Sequence, residues 1–129
     1  MTSVLLDTHA WVWSFLDDDQ LSRTARGAIE NADAVYVSPI SFFEIGQKVG
    51  IGKWPEMAPH LRDLPDILRG QGGLTATLTP DICIHASARA WDHRDPFDRL
   101  IASTAELSGL RLISKDAVFS GLSDIHVVW

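Results

Sequence analysis

The chain is poor in cysteine, in positive charge and in long apolar runs. Cys83 is its single cysteine among 129 residues. No internal disulfide can form, and a reduced, cytoplasmic setting is expected. No stretch approaches the roughly 18 apolar residues needed to cross a bilayer, so no membrane attachment is expected. The opening apolar run Val4-Leu5-Leu6 is cut by Asp7 and preceded by no basic residue, which does not read as a signal peptide. Lys and Arg number 11 against 17 Asp and Glu, for a formal net charge of -6. That balance argues against gripping nucleic acid by general basicity. It leaves room for an enzyme that holds a short stretch of strand at a metal centre. Low-complexity tracts, repeats and a dividing linker are also missing, so residues 1–129 read as one domain. With 46% hydrophobic residues, that domain has enough apolar material for a packed core.

What is present is an alternation of short strands and helices. Residues 3–6 read as a buried strand, followed by a helix over Thr8 to Leu16. Ser22 caps a second helix reaching about Asn31. Ala34 to Val37 forms the next strand. Ser38-Pro39 is a cap followed by proline at the first helical position, and that helix ends among Gly50 and Gly52. Residues 53–64 carry Pro55 and Pro59 and read as irregular, before a short helix from Pro65 to Gly70. A strand is expected at Leu74 to Leu78. Thr79-Pro80 opens a helix toward Trp91, and Asp95-Pro96 opens another running to Gly109. Arg111 to Ser114 and His126 to Trp129 are the last strands, the final one at an edge. The pattern predicts an α/β fold with a central, mostly parallel sheet of four to five strands and helices on both faces.

Four acids stand at informative places along this alternation. Asp7 follows the first strand, Glu44 lies inside the helix begun at Ser38, Asp98 lies in the first turn after Asp95-Pro96, and Asp116 follows Leu112-Ile113-Ser114-Lys115. In an open α/β sheet such positions converge on a crevice at the carboxyl edge of the strands. Two like charges about 4 Å apart cost on the order of 4 kcal/mol at an effective dielectric near 20. A hard cation relieves that cost, so a magnesium or manganese site and phosphate chemistry are expected. Each acid also has a local explanation. Asp7, Asp95 and Asp116 suit helix caps, and Asp98 suits the positive end of a helix dipole. Ser41-x-x-Glu44 matches a capping box, yet Pro39 starts the helix too early for it. Lys48 offers Glu44 an ion-pair partner one turn on. The combination in separate βα units favours the shared site.

Leu5-Leu6-Asp7-Thr8-His9-Ala10-Trp11 resembles the opening of PIN-domain ribonucleases, in particular the VapC-like toxins of toxin–antitoxin pairs. Ser38-Pro39-Ile40-Ser41-Phe42-Phe43-Glu44-Ile45, then Lys48 and Gly52-Lys53, resembles their second motif. His93-Arg94-Asp95-Pro96-Phe97-Asp98-Arg99-Leu100-Ile101-Ala102 resembles the third and is the most distinctive. Leu112-Ile113-Ser114-Lys115-Asp116 resembles the fourth, and Trp129 fits the last strand. Phe43 departs from the pattern, since relatives often carry tryptophan before the glutamate. The resemblance implies a PIN-like ribonuclease domain in which Asp7, Glu44, Asp98 and Asp116 are both the catalytic and the metal-binding residues. It implies Mg²⁺ or Mn²⁺ as cofactor and hydrolysis of RNA phosphodiester bonds, with Asp98 or Asp116 orienting the attacking water. A homodimer and a cognate VapB-like antitoxin, with a basic or aromatic segment entering the acidic groove, are the implied partners. Asp95 is assigned to capping and at most an auxiliary role, and Thr8 and Ser114 either orient the site acids or serve as local caps.

Other residues are weighed against this frame. Arg94 and Arg99 either contact phosphate or pair with nearby acids, the second being favoured. His93 is a further candidate for substrate phosphate. The remaining histidines show no zinc-like spacing with Cys83. Trp11 and Trp13 lie two apart, so one is expected to pack inward and the other to face outward. Gly46-x-x-x-Gly50 offers a close helix approach. A phosphatase of the haloacid dehalogenase type needs an acid where His9 stands. A receiver domain needs its acceptor Asp later than position 7. The remaining alternative is a non-catalytic RNA- or partner-binding module of the same fold.

Overall fold

The computed structural model describes residues 2–129. Five parallel strands form one sheet: β1 (Ser3–Leu6), β2 (Ala34–Val37), β3 (Leu74–Thr75), β4 (Arg111–Ile113) and β5 (Val127–Val128), in the order β3-β2-β1-β4-β5. The helices are α1 (Thr8–Leu16), α2 (Arg23–Asn31), α3 (Pro39–Gly50), α4 (Leu64–Gly70), α5 (Pro80–Ala88) and α6 (Pro96–Ser108). No helix among the described residues is long and apolar enough to cross a membrane.

β1 is central, and side chains alternate between the faces of a strand. Val4 and Leu6 feed one core with Trp11, Val37, Ile45 and Ile113. Leu5, between them, feeds the other with Ile101, Ala102, Leu112 and Phe119. An apolar triplet without polar alternation is what a strand covered on both faces requires.

The caps work as their residue types dictate. Asp7, Ser22, Thr79 and Asp95 accept hydrogen bonds from the first-turn amides of α1, α2, α5 and α6. Gly109 closes α6 at φ 65, and its N–H reaches back to Ala105, a left-handed cap that suits glycine.

Several boundaries differ from expectation. Pro55–Asp63 is a 3₁₀ segment rather than irregular chain, and its Met57 is fully buried. β3 stops at Thr75 instead of Leu78. The Ala76 N–H still reaches Val37 O at 2.9 Å, but β2 ends at Val37, so the chain beyond has no ladder to join. α5 stops at Ala88, short of Trp91. There Arg89 turns to extended backbone, and its side chain pairs with Glu106 and Asp124. Gly50 has nothing within 4 Å of where a Cβ would stand, and Gly46 meets only the Leu61 side chain at an ordinary 3.8 Å, so neither position of Gly46-x-x-x-Gly50 requires glycine for a close approach.

Candidate functional site

The strand order reverses between β1 and β4, because the chain leaves β1 for β2 on one side and returns to β4 on the other. Loops diverge at such a point and leave a crevice beyond the strand ends. A cleft of about 380 Å³ opens there, lined by Asp7, Thr8, His9, Trp13, Glu44, Lys48, Asp95, Asp98, Ile101, Lys115 and Asp116. All four acids singled out in the sequence border it.

Asp7 is the most constrained. Its Oδ1 accepts from Ala10 N at 2.8 Å, and its Oδ2 accepts from the Ser114 hydroxyl. Burial pushes its carboxyl up from 3.8 to about 6, helped by Asp98 and Asp116 and opposed by those two hydrogen bonds. Desolvation penalises the charged form, and like charges nearby add to it.

Asp98 reaches the cleft from the first turn of α6. Its carboxyl is also raised, chiefly by burial, with Asp95 and Asp116 adding to it. His93 Nε2 lies 2.7 Å from its Oδ2 and works the other way. Asp95 accepts from Phe97 N at 2.8 Å and Asp98 N at 3.3 Å, the capping role expected of it. Asp116 caps a 3₁₀ turn through Val118 N at 3.0 Å. Cap and cleft roles coexist, since a carboxylate has a second oxygen to spare.

Glu44 is set apart from the three aspartates. It is buried inside α3 at 7% exposure. Thr8 Oγ1 donates to its Oε1 at 2.6 Å, and Thr8 Oγ1 also stands 2.9 Å from Ser41 Oγ. Lys48 Nζ lies 2.7 Å from its Oε2. The i,i+4 pair is therefore formed, but within the cleft rather than on an outer surface. Its charge is balanced by a lysine. Among the described residues, no lysine or arginine pairs with Asp7, Asp98 or Asp116.

The donor atoms that come within 4.8 Å of one another belong to His93, Asp95 and Asp98, not to the quartet as a whole. Uncompensated carboxylates keep apart. The residue types still fit a hard divalent cation, since several oxygens converge on one cleft and Asp7 lacks a counter-charge. His93 is the neighbour that sequence spacing underrated: its link to Asp98 spans the loop just before α6.

The arginines contradict the pairing favoured from sequence. Among the described residues, Arg99 pairs with no acid. Its guanidinium donates to Ala86 O at 2.8 Å, to Trp91 O and His93 O at 2.9 Å each, and to Arg89 O. It binds the loop ahead of α6 into one piece. Arg94 is exposed and forms no ion pair among the described residues. The tryptophans divide as expected: Trp11 is fully buried in the core, while Trp13 is half-buried and lines the cleft.

Comparison with known proteins agrees with this architecture. The PIN domain family model matches residues 4–124. Ribonuclease VapC22 of Mycobacterium tuberculosis is 34% identical, the match covering 90% of this chain and 88% of that protein. VapBC2 from Rickettsia felis, solved bound to a DNA fragment from its promoter, superposes with a TM-score of 0.71 at 16% identity, over 98% of this chain and 97% of the other. DNA-bound VapBC from Salmonella typhimurium superposes with a TM-score of 0.68 at 20% identity, again over 98% and 97%. The structural likenesses show the fold. The family model and the sequence identity carry the assignment: this chain belongs to the PIN-domain family.

Proposed function

We propose that this protein is a divalent-metal-dependent ribonuclease and acts as the toxin of a toxin–antitoxin pair. One observation carries the reading. Asp7, Asp98 and Asp116, from three separate segments, crowd a single cleft, where burial and the neighbouring acids raise the proton affinity of Asp7 and Asp98. A cation from solution is the chemically reasonable counter-charge, with Mg²⁺ proposed and Mn²⁺ as the alternative. Family membership and the ribonuclease name of VapC22 support the same conclusion.

In this reading Asp7, Asp98, Asp116 and Glu44 hold the ion and act as the catalytic group. Such an ion, when bound, supplies a water of lowered pKa and neutralises charge on the phosphate. Ser114 and Ala10 N fix the direction of Asp7. Asp98 and Asp116 each keep a carboxylate oxygen without a protein hydrogen bond, so either can orient the attacking water or take its proton. Lys48, beside Glu44, and Lys115, beside Asp116, bring positive charge to the rim, where substrate phosphates would lie.

The partners follow from the same cleft. Five carboxylates against two lysines line it, which suits a basic segment of a VapB-like antitoxin. Phe43, 59% exposed, lies 6.0 Å from the Phe97 ring and offers an apolar surface for a homodimer. A cytoplasmic site of action goes with this role.

The test uses the purified protein and total RNA. EDTA should abolish cleavage and added Mg²⁺ or Mn²⁺ should restore it. Asp7→Asn and Asp98→Asn should each abolish it with the fold intact. Undiminished cleavage by either variant refutes the assignment. RNA binding without any metal-dependent cleavage would favour the non-catalytic module instead.

A further inference from the structure

Among the described residues lining the cleft, Glu44 is the one acid whose charge a lysine already matches. Both of its oxygens are engaged: Thr8 Oγ1 donates to Oε1 at 2.6 Å, and Lys48 Nζ stands 2.7 Å from Oε2. Lys48 is also held in ways that do not depend on Glu44. It lies in the last turn of α3, where a positive charge suits the helix dipole. Its carbonyl accepts from Lys53 N at 2.8 Å and from Trp54 N at 3.2 Å. That turn folds the chain back and stands the Trp54 ring beside the ammonium, with Nζ 5.7 Å from the ring centre. The ring packs against the core and gives the cation a second attractive surface. Lys48 is half-buried, and its flexible four-carbon stem lets the ammonium leave the carboxylate without leaving the rim.

A carboxylate carries one negative charge, and Lys48 already offsets that of Glu44. A divalent ion on the same group would meet an ammonium 2.7 Å from one of its oxygens, and two cations repel strongly in so buried a setting. Lys48 and the ion therefore compete for Glu44. We infer that Lys48 is a displaceable counter-charge: it occupies Glu44 in the metal-free protein, leaves it when the acids take a divalent ion, and then binds substrate phosphate with the released ammonium. The inference rests on the ribonuclease reading and adds to it a coupling between metal and RNA. In the metal-free protein the cleft sets five carboxylates against two lysines, one of them tied, in a chain of net charge -6. Phosphate is repelled there. Once the acids are neutralised and Lys48 is free at the rim, phosphate is attracted. Coupling between two binding events is reciprocal, so RNA in turn favours the metal-loaded cleft. The device keeps RNA out of a site that cannot cut it.

The test uses the full chain and Mg²⁺. Metal affinity is read by calorimetry. RNA affinity is read by the anisotropy of a fluorescein-labelled octaribonucleotide just after mixing, before cutting. In the unsubstituted protein Mg²⁺ should tighten RNA binding by at least about fivefold. Lys48→Met should bind Mg²⁺ at least about fivefold more tightly, yet lose most of the gain in RNA affinity that Mg²⁺ confers. Lys48→Arg should bind Mg²⁺ more weakly than the unsubstituted protein, since a guanidinium grips a carboxylate with two N–H groups. With Glu44→Gln in place, Lys48→Met should change Mg²⁺ affinity by less than about twofold, which separates competition for the carboxylate from repulsion through space. A lysine that merely props Glu44 in position predicts the opposite direction. Weaker Mg²⁺ binding by Lys48→Met therefore overturns the proposal, and so does unchanged affinity in a folded protein. If Lys48→Met does not fold, the NMR signal of the Lys48 ε-carbon in the unsubstituted protein decides. It should move as Mg²⁺ is added and again with RNA, and a signal that ignores Mg²⁺ overturns the handover. Metal-dependent cutting by the unsubstituted protein is scored separately. Cutting together with unchanged Mg²⁺ affinity in Lys48→Met sinks the handover and spares the nuclease. No cutting, alongside tighter Mg²⁺ binding by Lys48→Met, sinks the nuclease reading and leaves the competition for Glu44 standing.

Discussion

The Ser114 hydroxyl donates a hydrogen bond to Asp7 Oδ2, joining residues 107 positions apart. Each residue lies one step beyond the end of its strand, and the Asp7 N–H meets Ile113 O at 3.1 Å. β1 and β4 therefore deliver the two side chains together. Asp7 is aimed by α1's first turn on one oxygen and by β4's end on the other, yet among the described residues no lysine or arginine pairs with it.

Ser114→Ala should cost metal affinity without costing the fold. Removing a hydrogen bond that favours the ionised carboxylate raises its proton affinity further and frees its rotation. Loss of such a supporting partner typically weakens metal binding by about 10–100-fold. Calorimetric titration with Mn²⁺, beside a thermal melt, reads both. Unchanged affinity would show that Asp7 does not need its neighbour.

Asp7→Asn should stabilise the metal-free protein at high pH. The folded state holds this carboxyl at about 6, above its ordinary 3.8. The folded state thus binds the proton more tightly than the unfolded chain between those values. Stability linked to the neutral form is fully present below about pH 4 and is lost as pH rises through about 6. The difference corresponds to about 3 kcal/mol. Asparagine keeps the capping oxygen and never ionises. Urea denaturation at pH about 8 should show a gain of up to about 3 kcal/mol, and at pH about 4 almost none. An equal effect at both values would disprove the burial argument.

Acid should switch off metal binding before it harms the fold. Protons and a cation compete for the same oxygens, and Asp98 is raised in the same direction as Asp7. Mn²⁺ affinity and RNA cleavage should both fall as pH drops through about 6, where Asp7 takes up its proton. A pH series of both quantities checks this, and a flat profile across that range would contradict it.

Arg99→Lys should behave as a severe change. Four backbone carbonyls depend on one planar guanidinium, and an ammonium cannot replace that fork. A loss of about 3 kcal/mol is expected, given about 1.5–3 kcal/mol for a hydrogen bond to a charged group and the carbonyls left unmet. Cleavage should fall as well, because the released loop carries His93 and through it Asp98. Chemical denaturation with a parallel RNA assay separates the two effects.

Much of the architecture was legible because local signals agreed with one another. Ser22, Ser38-Pro39, Thr79-Pro80 and Asp95-Pro96 each mark a helix start by rules that need only a few neighbouring residues, and each start was met. Ends set by distant contacts were less legible. β3 is shortened by the length of β2, and α5 by the pull of Glu106, Asp124 and Arg99 on Arg89. Glu44 illustrates the same divide within the site. Its spacing to Lys48 announced an ion pair, but the pair's position inside the cleft depends on how α3 leans on α1. Arg99 was misread because a charge pattern suggests carboxylate partners, whereas its partners are carbonyls that exist only once the loop has folded.

The order of residues alone determined that strands and helices would alternate, where most helices begin, and that acids would fall at strand ends. These depend on backbone preferences and capping acting over one or two turns. Tertiary structure decided which acid would keep its charge uncompensated and which rings would stand beside it. Those outcomes depend on burial and on distances between segments far apart in the chain, where desolvation and Coulomb energy change within a few ångströms.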